Sequence, residues 1–303
     1  MRENLLEYLA CPADAGHPLV LHAETRVAGA IQEGDLRCPR CDSWFAIKAG
    51  IARFLDHDRM PDVKKKEMAV RDQSYRHDYT VGRERLSEFD AVRSAVGDAS
   101  GLRVLDAGCG LGQMTAAVCG ARDVVAMDFA WEGLVHFRTP PGLSVDLVQA
   151  DASRMSFQKG VFDLAISCQL LEHVHSQELR EAFLGQLAAA LRTGGRAVLT
   201  TYNCDRGRQD RGLPKEGHHP TGIYYYCYEA EEFRTVLAQY FEVETIGAVD
   251  VVLPGTYRLV NVLGSKQVYW DRVWRARALS YGRLLLAVHR RDSKPKTQLE
   301  KEG

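Results

Sequence analysis

Five apolar runs, RVLDAG (103–108), DVVAMDF (123–129), VDLVQAD (145–151), FDLAISC (162–168) and RAVLTTY (196–202), are separated by longer stretches, several with helical spacing. Strands that far apart are not joined by tight hairpins. Each pair needs a crossover, and repeated crossovers build a parallel sheet covered by helices. The clearest intervening helix follows Ser176, a residue able to cap it, and has Glu178 in its first turn. Leu179, Phe183, Leu187 and Leu191 then recur every four residues as one apolar stripe, and Gly194-Gly195 is expected to end it.

Residues 1–57 are short apolar stretches broken by Gly, Pro and Cys, which suits a small β-rich module. Residues 58–95 read as a charged linker running into a helical lid, 96–290 as the α/β domain, and 291–303 as a disordered tail. The segment 206–222 is rich in glycine and charge, so a long polar loop is expected there. A helix near 229–239, a strand over 241–252, a helix over 266–278 with Trp270 and Trp274 among basic residues, and a strand over 283–290 follow.

The 303 residues allow one large domain and a small one, and the net charge of −1 argues against the broad basic face of sequence-blind nucleic-acid binding. No apolar run reaches the roughly 18 residues of a membrane span. The start, MRENLLEYLACP, lacks the features of a secretory signal. Five cysteines (Cys109, Cys119, Cys168, Cys204 and Cys227) are scattered without a disulfide framework, and a cytoplasmic setting is expected.

In VLDAGCGLG an apolar strand runs into Asp106, then Gly108, Gly110 and Gly112. Glycines suit a tight turn that a ligand must approach without meeting a Cβ, and such a turn lies at the carboxyl end of the first strand of an α/β sheet. Asp128 follows Gly108 by twenty residues and ends the second strand, where a carboxylate can accept hydrogen bonds from ribose hydroxyls. The dinucleotide fingerprint would want its last glycine where Gln113 stands, which disfavours a nicotinamide-dependent oxidoreductase. Asp106 would repel a pyrophosphate but suits a cationic amino-acid ligand.

Taken in order, VLDAGCGLG, VVAMDFA, QADASRMSF and FDLAISCQLLEHV with LRTGGRAVLTT resemble the motifs of class I S-adenosylmethionine-dependent methyltransferases, in particular the quinone-methylating branch. The family's usual Pro in the last block is Thr193 here. The resemblance implies an α/β, Rossmann-like, doubly wound sheet of seven strands with an antiparallel last strand. It also implies a cofactor site. The loop Asp106–Gly110, including Cys109, would lie against the methionine part, with Gly108 and Gly110 closest. Asp128 would hold the ribose, Phe129 would pack on the adenine, Asp151 with Ala152 would read the adenine edge, and Cys168 would offer its carbonyl to the methionine ammonium.

The front of the chain, LLEYLACPADAG…LRCPRCDSWFAIKAGIARFL, resembles the small zinc-ribbon proteins that activate methyltransferases. Cys38-Pro-Arg-Cys41 is an intact metal knuckle, two thiolates able to share one tetrahedral ion. Its partner, Cys11-Pro-Ala-Asp14, has an acid where a second Cys should stand, and His17 is near. Zinc held by Cys11, Cys38 and Cys41 with Asp14 or His17 fourth, or a relic that folds without metal, are the readings. The ion would fix the fold of a module separable from the later domain near residue 58.

The resulting expectation is methyl transfer to a small-molecule acceptor: a quinone, a natural product or a lipid-linked precursor. Transfer RNA or ribosomal RNA is the alternative acceptor, and a non-catalytic cofactor-binding scaffold the alternative of another class. His173 is the candidate general base, with His175, His218 and His219 as further imidazoles. SYRHDY (74–79) resembles the lid helix of related enzymes, and GIYYYCYE (222–229) stands where the family inserts acceptor-binding elements. These residues leave the acceptor atom and the oligomeric state open.

Overall fold

The computed structural model describes residues 1–14, 17–55, 60–76, 83–251, 279–280 and 282–291. The expected helix with Trp270 and Trp274, and the tail beyond Arg291, lie outside the described residues.

The first module is four short strands, β1 (Val20–Val27), β2 (Ala30–Arg37), β3 (Trp44–Lys48) and β4 (Ile51–Arg53), paired antiparallel in order. Two helices follow, α1 (Asp62–Arg76) and α2 (Arg83–Val96). The alternating region then gives β5 (Arg103–Ala107), β6 (Asp123–Asp128), α3 (Trp131–Val135), β7 (Val145–Gln149), β8 (Phe162–Cys168), α4 (Gln177–Ala190) and β9 (Leu191–Tyr202). It closes with α5 (Arg206–Asp210), β10 (Glu216–His218), β11 (Tyr224–Tyr226), α6 (Ala230–Leu237), β12 (Glu242–Val251) and β13 (Gly282–Arg290).

Seven strands lie in the order β7-β6-β5-β8-β9-β13-β12. The first five run parallel, and β13 runs antiparallel to both β9 and β12, as the resemblance implies. The order reverses at β5, so ligands are expected at the carboxyl ends of β5 and its neighbours. Successive residues of β5 serve opposite faces. Val104 packs with Val92 and Val96 of α2, whereas Leu105 belongs to the cluster containing Phe183, Leu184 and Leu187 of α4. Those three α4 side chains are fully buried, each worth about 1.5–3 kcal/mol relative to exposure.

Ser176 caps α4 by accepting the Leu179 N–H, but the helix stops at Ala190 rather than at the two glycines. Gly194 and Gly195 instead sit in β9, where the pairing with β8 slips between Phe162↔Leu191 and Leu164↔Arg196. A Cβ on Gly195 would meet the Arg192 carbonyl oxygen at 2.8 Å, so glycine is needed for the bulge. The segment 206–222 also departs from the expected loop. Asp205 caps the short α5 by accepting the Arg208 N–H at 3.0 Å, and β10 pairs with β11 as a hairpin.

The front module is not a free-standing sheet. β4 pairs in parallel with β7, so all four of its strands extend the seven into one sheet, of eleven strands among the described residues. Phe54 donates its N–H to the Gln149 carbonyl at 2.8 Å, and Arg53 Nε donates to Gln149 Oε1 at 2.9 Å. Tyr8 stacks on Phe162 with ring centroids 5.4 Å apart, and its hydroxyl donates to Asp123 at 3.0 Å. Met1, Leu5 and Leu9 are buried in the same core cluster as Phe157 and Phe162. Hydrogen bonding and packing both cross the boundary expected near residue 58.

Candidate active site

A cavity of about 480 Å³ opens at the carboxyl ends of β5, β6, β8 and β9, with Ala150–Ala152 after β7 on one side and α1 across it. Its floor is the glycine turn. The N–H groups of Gly108 and Cys109 both donate to the Met127 carbonyl, at 2.7 and 3.0 Å, tying the turn to β6. Gly110 has φ +52°, and a Cβ there would come within 2.9 Å of the Tyr75 hydroxyl.

Two carboxylates flank the turn. Asp128 accepts the N–H groups of Gly110 at 2.9 Å and Ala130 at 2.8 Å. Its carboxyl is pushed above the usual range by burial, which these donors only partly offset. Asp151 accepts both the N–H and the hydroxyl of Ser153, at 2.9 and 2.7 Å, and is paired with the Lys64 ammonium from α1. Burial raises its pKa, but Lys64 and Ser153 outweigh that and bring it below the usual value.

Of the residues expected around a cofactor, Gly108, Cys109, Gly110, Asp128, Phe129, Asp151, Ala152 and Cys168 all line the cavity. Asp106 does not. It lies behind the turn, 1% exposed, accepting the Thr115 hydroxyl at 2.6 Å, and burial pushes its carboxyl up to about 7. Its place is to brace the turn, because a carboxylate pointing into the strand end meets the following 3-10 turn rather than open space. Gln169, just past β8, lines the cavity with φ +53°, a strained backbone of the kind that concentrates at functional sites.

The opposite wall holds the imidazoles. His173 Nδ1 lies 2.7 Å from the Tyr224 carbonyl oxygen. A carbonyl only accepts, so Nδ1 carries a proton and donates it there. His175 stacks on Tyr224, centroids 4.9 Å apart, with its Nδ1 3.6 Å from Glu67. His219 also lines the cavity, edge-on to Tyr202 at 5.9 Å, and its buried Nε2 has no hydrogen-bond partner among the described residues. His218 is exposed and outside the lining. Arg180 braces this wall by donating from one nitrogen to the Val174 carbonyl and the Tyr224 hydroxyl, both at 3.0 Å.

Lys64, Glu67, Arg71 and Tyr202 are among the lining residues that the sequence did not single out. The first three sit on α1 with Tyr75 at spacings of three and four, one face of a helix. That periodicity was the available signal, masked because a charged face reads as solvent-facing linker. α1 is held here by Asp72, which accepts the Glu132 N–H at 2.9 Å, and by the Arg76–Glu132 ion pair at 2.7 Å.

Residues 104–195 match the family described as methyltransferase domain, and residues 2–50 match the family described as Trm112p-like protein. The chain joins a methyltransferase domain to a Trm112p-like domain. A Mycobacterium tuberculosis protein named as an S-adenosylmethionine-dependent methyltransferase is 26% identical over 155 residues, which is 51% of this chain and 51% of that protein. The chain thus spans about half the length of the relatives it matches first. Among solved structures, a Listeria monocytogenes S-adenosylmethionine-dependent methyltransferase superposes with a TM-score of 0.51 at 15% identity, covering 69% of this chain and 98% of that one. The Burkholderia thailandensis 1,6-didemethyltoxoflavin-N1-methyltransferase, solved with its substrate and S-adenosylhomocysteine, gives 0.50 at 20% identity over 89% of this chain and all of that one. A complex of the Haloferax volcanii Trm112 methyltransferase activator with a methyltransferase gives 0.50 at 14% identity, covering 77% and 99%. At these identities the structures show the fold alone.

The Trm112p-like domain brings the thiols of Cys11, Cys38 and Cys41 within 4.8 Å of one another. Cys11 Sγ lies 3.6 Å from Cys41 Sγ, close to the roughly 3.8 Å edge of a tetrahedron with about 2.3 Å zinc–sulfur bonds. Asp14 Oδ2 is 4.0 Å from Cys38 Sγ, whereas His17 Nδ1 lies against the Pro18 carbonyl oxygen at 3.0 Å. The three thiols are spaced to suit one zinc ion, while Asp14 is also paired with Arg40 at 3.4 Å. Among the described residues no helix is long and apolar enough to cross a membrane.

Proposed function

We propose that this protein transfers a methyl group from S-adenosylmethionine to a small-molecule acceptor, a quinone, natural product or lipid-linked precursor. The observation that carries the proposal is one cavity with the glycine turn, Asp128 and Asp151 on one side and the oriented His173 on the other. Bound there, S-adenosylmethionine supplies an electrophilic methyl on a sulfonium. The chain's own part is placement. Asp128 presents acceptor oxygens to a ribose, Asp151 presents them to an adenine amine once Lys64 yields, and the Gly110 backbone leaves room beneath. α1 covers the site and limits water, so that an acceptor is held in line with the methyl rather than diffusing to it. His173 takes a proton at Nε2 and keeps its ring fixed through Tyr224.

Zinc, in this reading, ties the three thiolates and Asp14 into a structural centre that steadies β1–β4. The Trm112p-like domain thereby supports the β7 edge and Asp151 in cis.

RNA is the competing acceptor, favoured by the Trm112p-like match. Purified protein incubated with radiolabelled S-adenosylmethionine and separated extract fractions decides between them. Label in small-molecule or lipid fractions supports the proposal; label in RNA replaces the acceptor; cofactor binding without label anywhere points to the scaffold reading.

A further inference from the structure

The cavity contains a cation that the cofactor-side assignments leave unused. Arg71, on α1, lines the cavity with its side chain 22% exposed, and its buried Nε has no hydrogen-bond partner among the described residues. Among the described residues its ionic contact is with Glu67, at 3.6 Å, beyond hydrogen-bonding distance. Burial pushes the Glu67 carboxyl up to about 7, against the pull of Arg71 itself, so near neutral pH this partner is only part-ionised. The guanidinium therefore keeps charge and hydrogen-bonding capacity to spare.

What surrounds that capacity defines a ligand. Tyr202 meets His173 edge-to-face at 5.5 Å and His219 edge-to-face at 5.9 Å, and the two imidazoles lie tilted 6.1 Å apart. Such a wall favours a planar ring. Arg71 is close enough to this cluster for its charge to act on it. After burial, it is the first charge holding His219 neutral. Buried Arg71 Nε and His219 Nε2, neither with a hydrogen-bond partner among the described residues, line one cavity with His173 and call for a ligand bearing oxygen. A neutral ring with no acidic proton would leave both the base and the guanidinium idle.

We propose that the acceptor is a planar compound with an acidic hydroxyl, a phenol or enol, bound as its oxyanion between Arg71 and His173 and methylated on oxygen. This rests on the methyl-transfer reading. His173 Nε2 takes the hydroxyl proton, and Arg71 donates hydrogen bonds to the oxyanion so formed. The oxygen lone pair forms the new O–CH₃ bond as the S–CH₃ bond breaks. The bonding pair returns to sulfur, leaving a neutral thioether, and the proton leaves His173 for water. Glu67 and Asp128, and Tyr75 and Tyr202 once ionised, also act on Arg71, and their negative charge limits how far it can lower the acceptor's ionisation.

The test uses 4-nitrophenol and 4-nitrocatechol, whose ionisation is visible in their absorbance, on full-length protein saturated with S-adenosylhomocysteine so that no turnover occurs. The expected result is that a bound probe ionises about one to three pH units below its free value. Arg71→Met should abolish the shift and weaken binding at least tenfold, and Arg71→Lys should keep part of it, while calorimetry finds S-adenosylhomocysteine affinity within twofold of wild type for both. Binding of the probes only as neutral phenols, or no binding of either, overturns the proposal. So does a tenfold loss of S-adenosylhomocysteine affinity in Arg71→Met, which would give the guanidinium to the cofactor's own carboxylate. If wild-type protein fails to bind S-adenosylhomocysteine at all, the methyl-transfer reading falls as well.

Discussion

His173 donates its Nδ1–H to the carbonyl of Tyr224 at 2.7 Å, so a residue of the β10–β11 hairpin sets the tautomer of a histidine on the β8 side of the cavity. This coupling predicts a base whose loss costs rate rather than binding. His173→Gln should lower kcat by about 10²–10⁴-fold, the usual range for a positioned general base. Cofactor affinity measured by calorimetry should stay within twofold. A variant with wild-type single-turnover rates would remove His173 from the mechanism.

Asp128 holds the turn and faces the cavity at once. Asp128→Ala should weaken S-adenosylmethionine binding by about 1.5–3 kcal/mol, the range for hydrogen bonds to a charged group, or roughly ten- to a hundredfold. Gly110→Val should do at least as much, since its Cβ would press on the Tyr75 hydroxyl in a backbone region with φ +52°. Unchanged affinity in both variants would move the cofactor elsewhere.

The shared sheet makes a prediction about zinc. Freshly purified protein should contain about one equivalent by elemental analysis, and Cys38→Ser should lower it. Because β4 pairs with β7 and Tyr8 packs on Phe162, the variant should unfold in one calorimetric transition moved to lower temperature. Two separated transitions would mean that the front module melts alone.

His289 on β13 is fully buried against Phe241, and neither ring nitrogen has a partner among the described residues. Burial pushes its pKa down to about 3. The unfolded chain takes up a proton below about pH 6.5 that the folded chain refuses until about 3, so stability falls as pH drops through this window, by about 2 kcal/mol at pH 5. His289→Leu should flatten that dependence and raise stability at pH 7 by about 1–3 kcal/mol, since unsatisfied polar nitrogens leave the core. Denaturant titrations of both proteins at pH 7 and pH 5 check the sign; an equally steep loss in the variant would assign it to other groups.

Elements whose identity rests on local pattern were legible in the chain. Strands β5, β6, β8 and β13 are apolar runs, and α4 announces itself through Ser176 and its four-residue stripe. Hairpin β10–β11 was not legible, because its polar, glycine-rich residues pair only where Tyr224 finds Arg180 and His173 to hold it. Asp106 was read as facing the ligand, since a strand of alternating sides does not say what stands beyond its last residue. Thr115 stands there.

By itself, the sequence determined the strand–helix alternation, the glycine turn, the two strand-end carboxylates at 128 and 151, and the metal knuckle at Cys38 and Cys41. All of these follow from residues within a few positions of one another, where periodicity, φ preference and ligand spacing act. Only the tertiary structure decided that β4 joins β7, that Cys11 comes beside Cys38 and Cys41, and that Arg71 lines the cavity. The physical reason is that each depends on a partner far along the chain. A three-residue strand has no register until another edge offers it hydrogen bonds, and a charged helix face stays a solvent face until a sheet leaves a cavity beneath it.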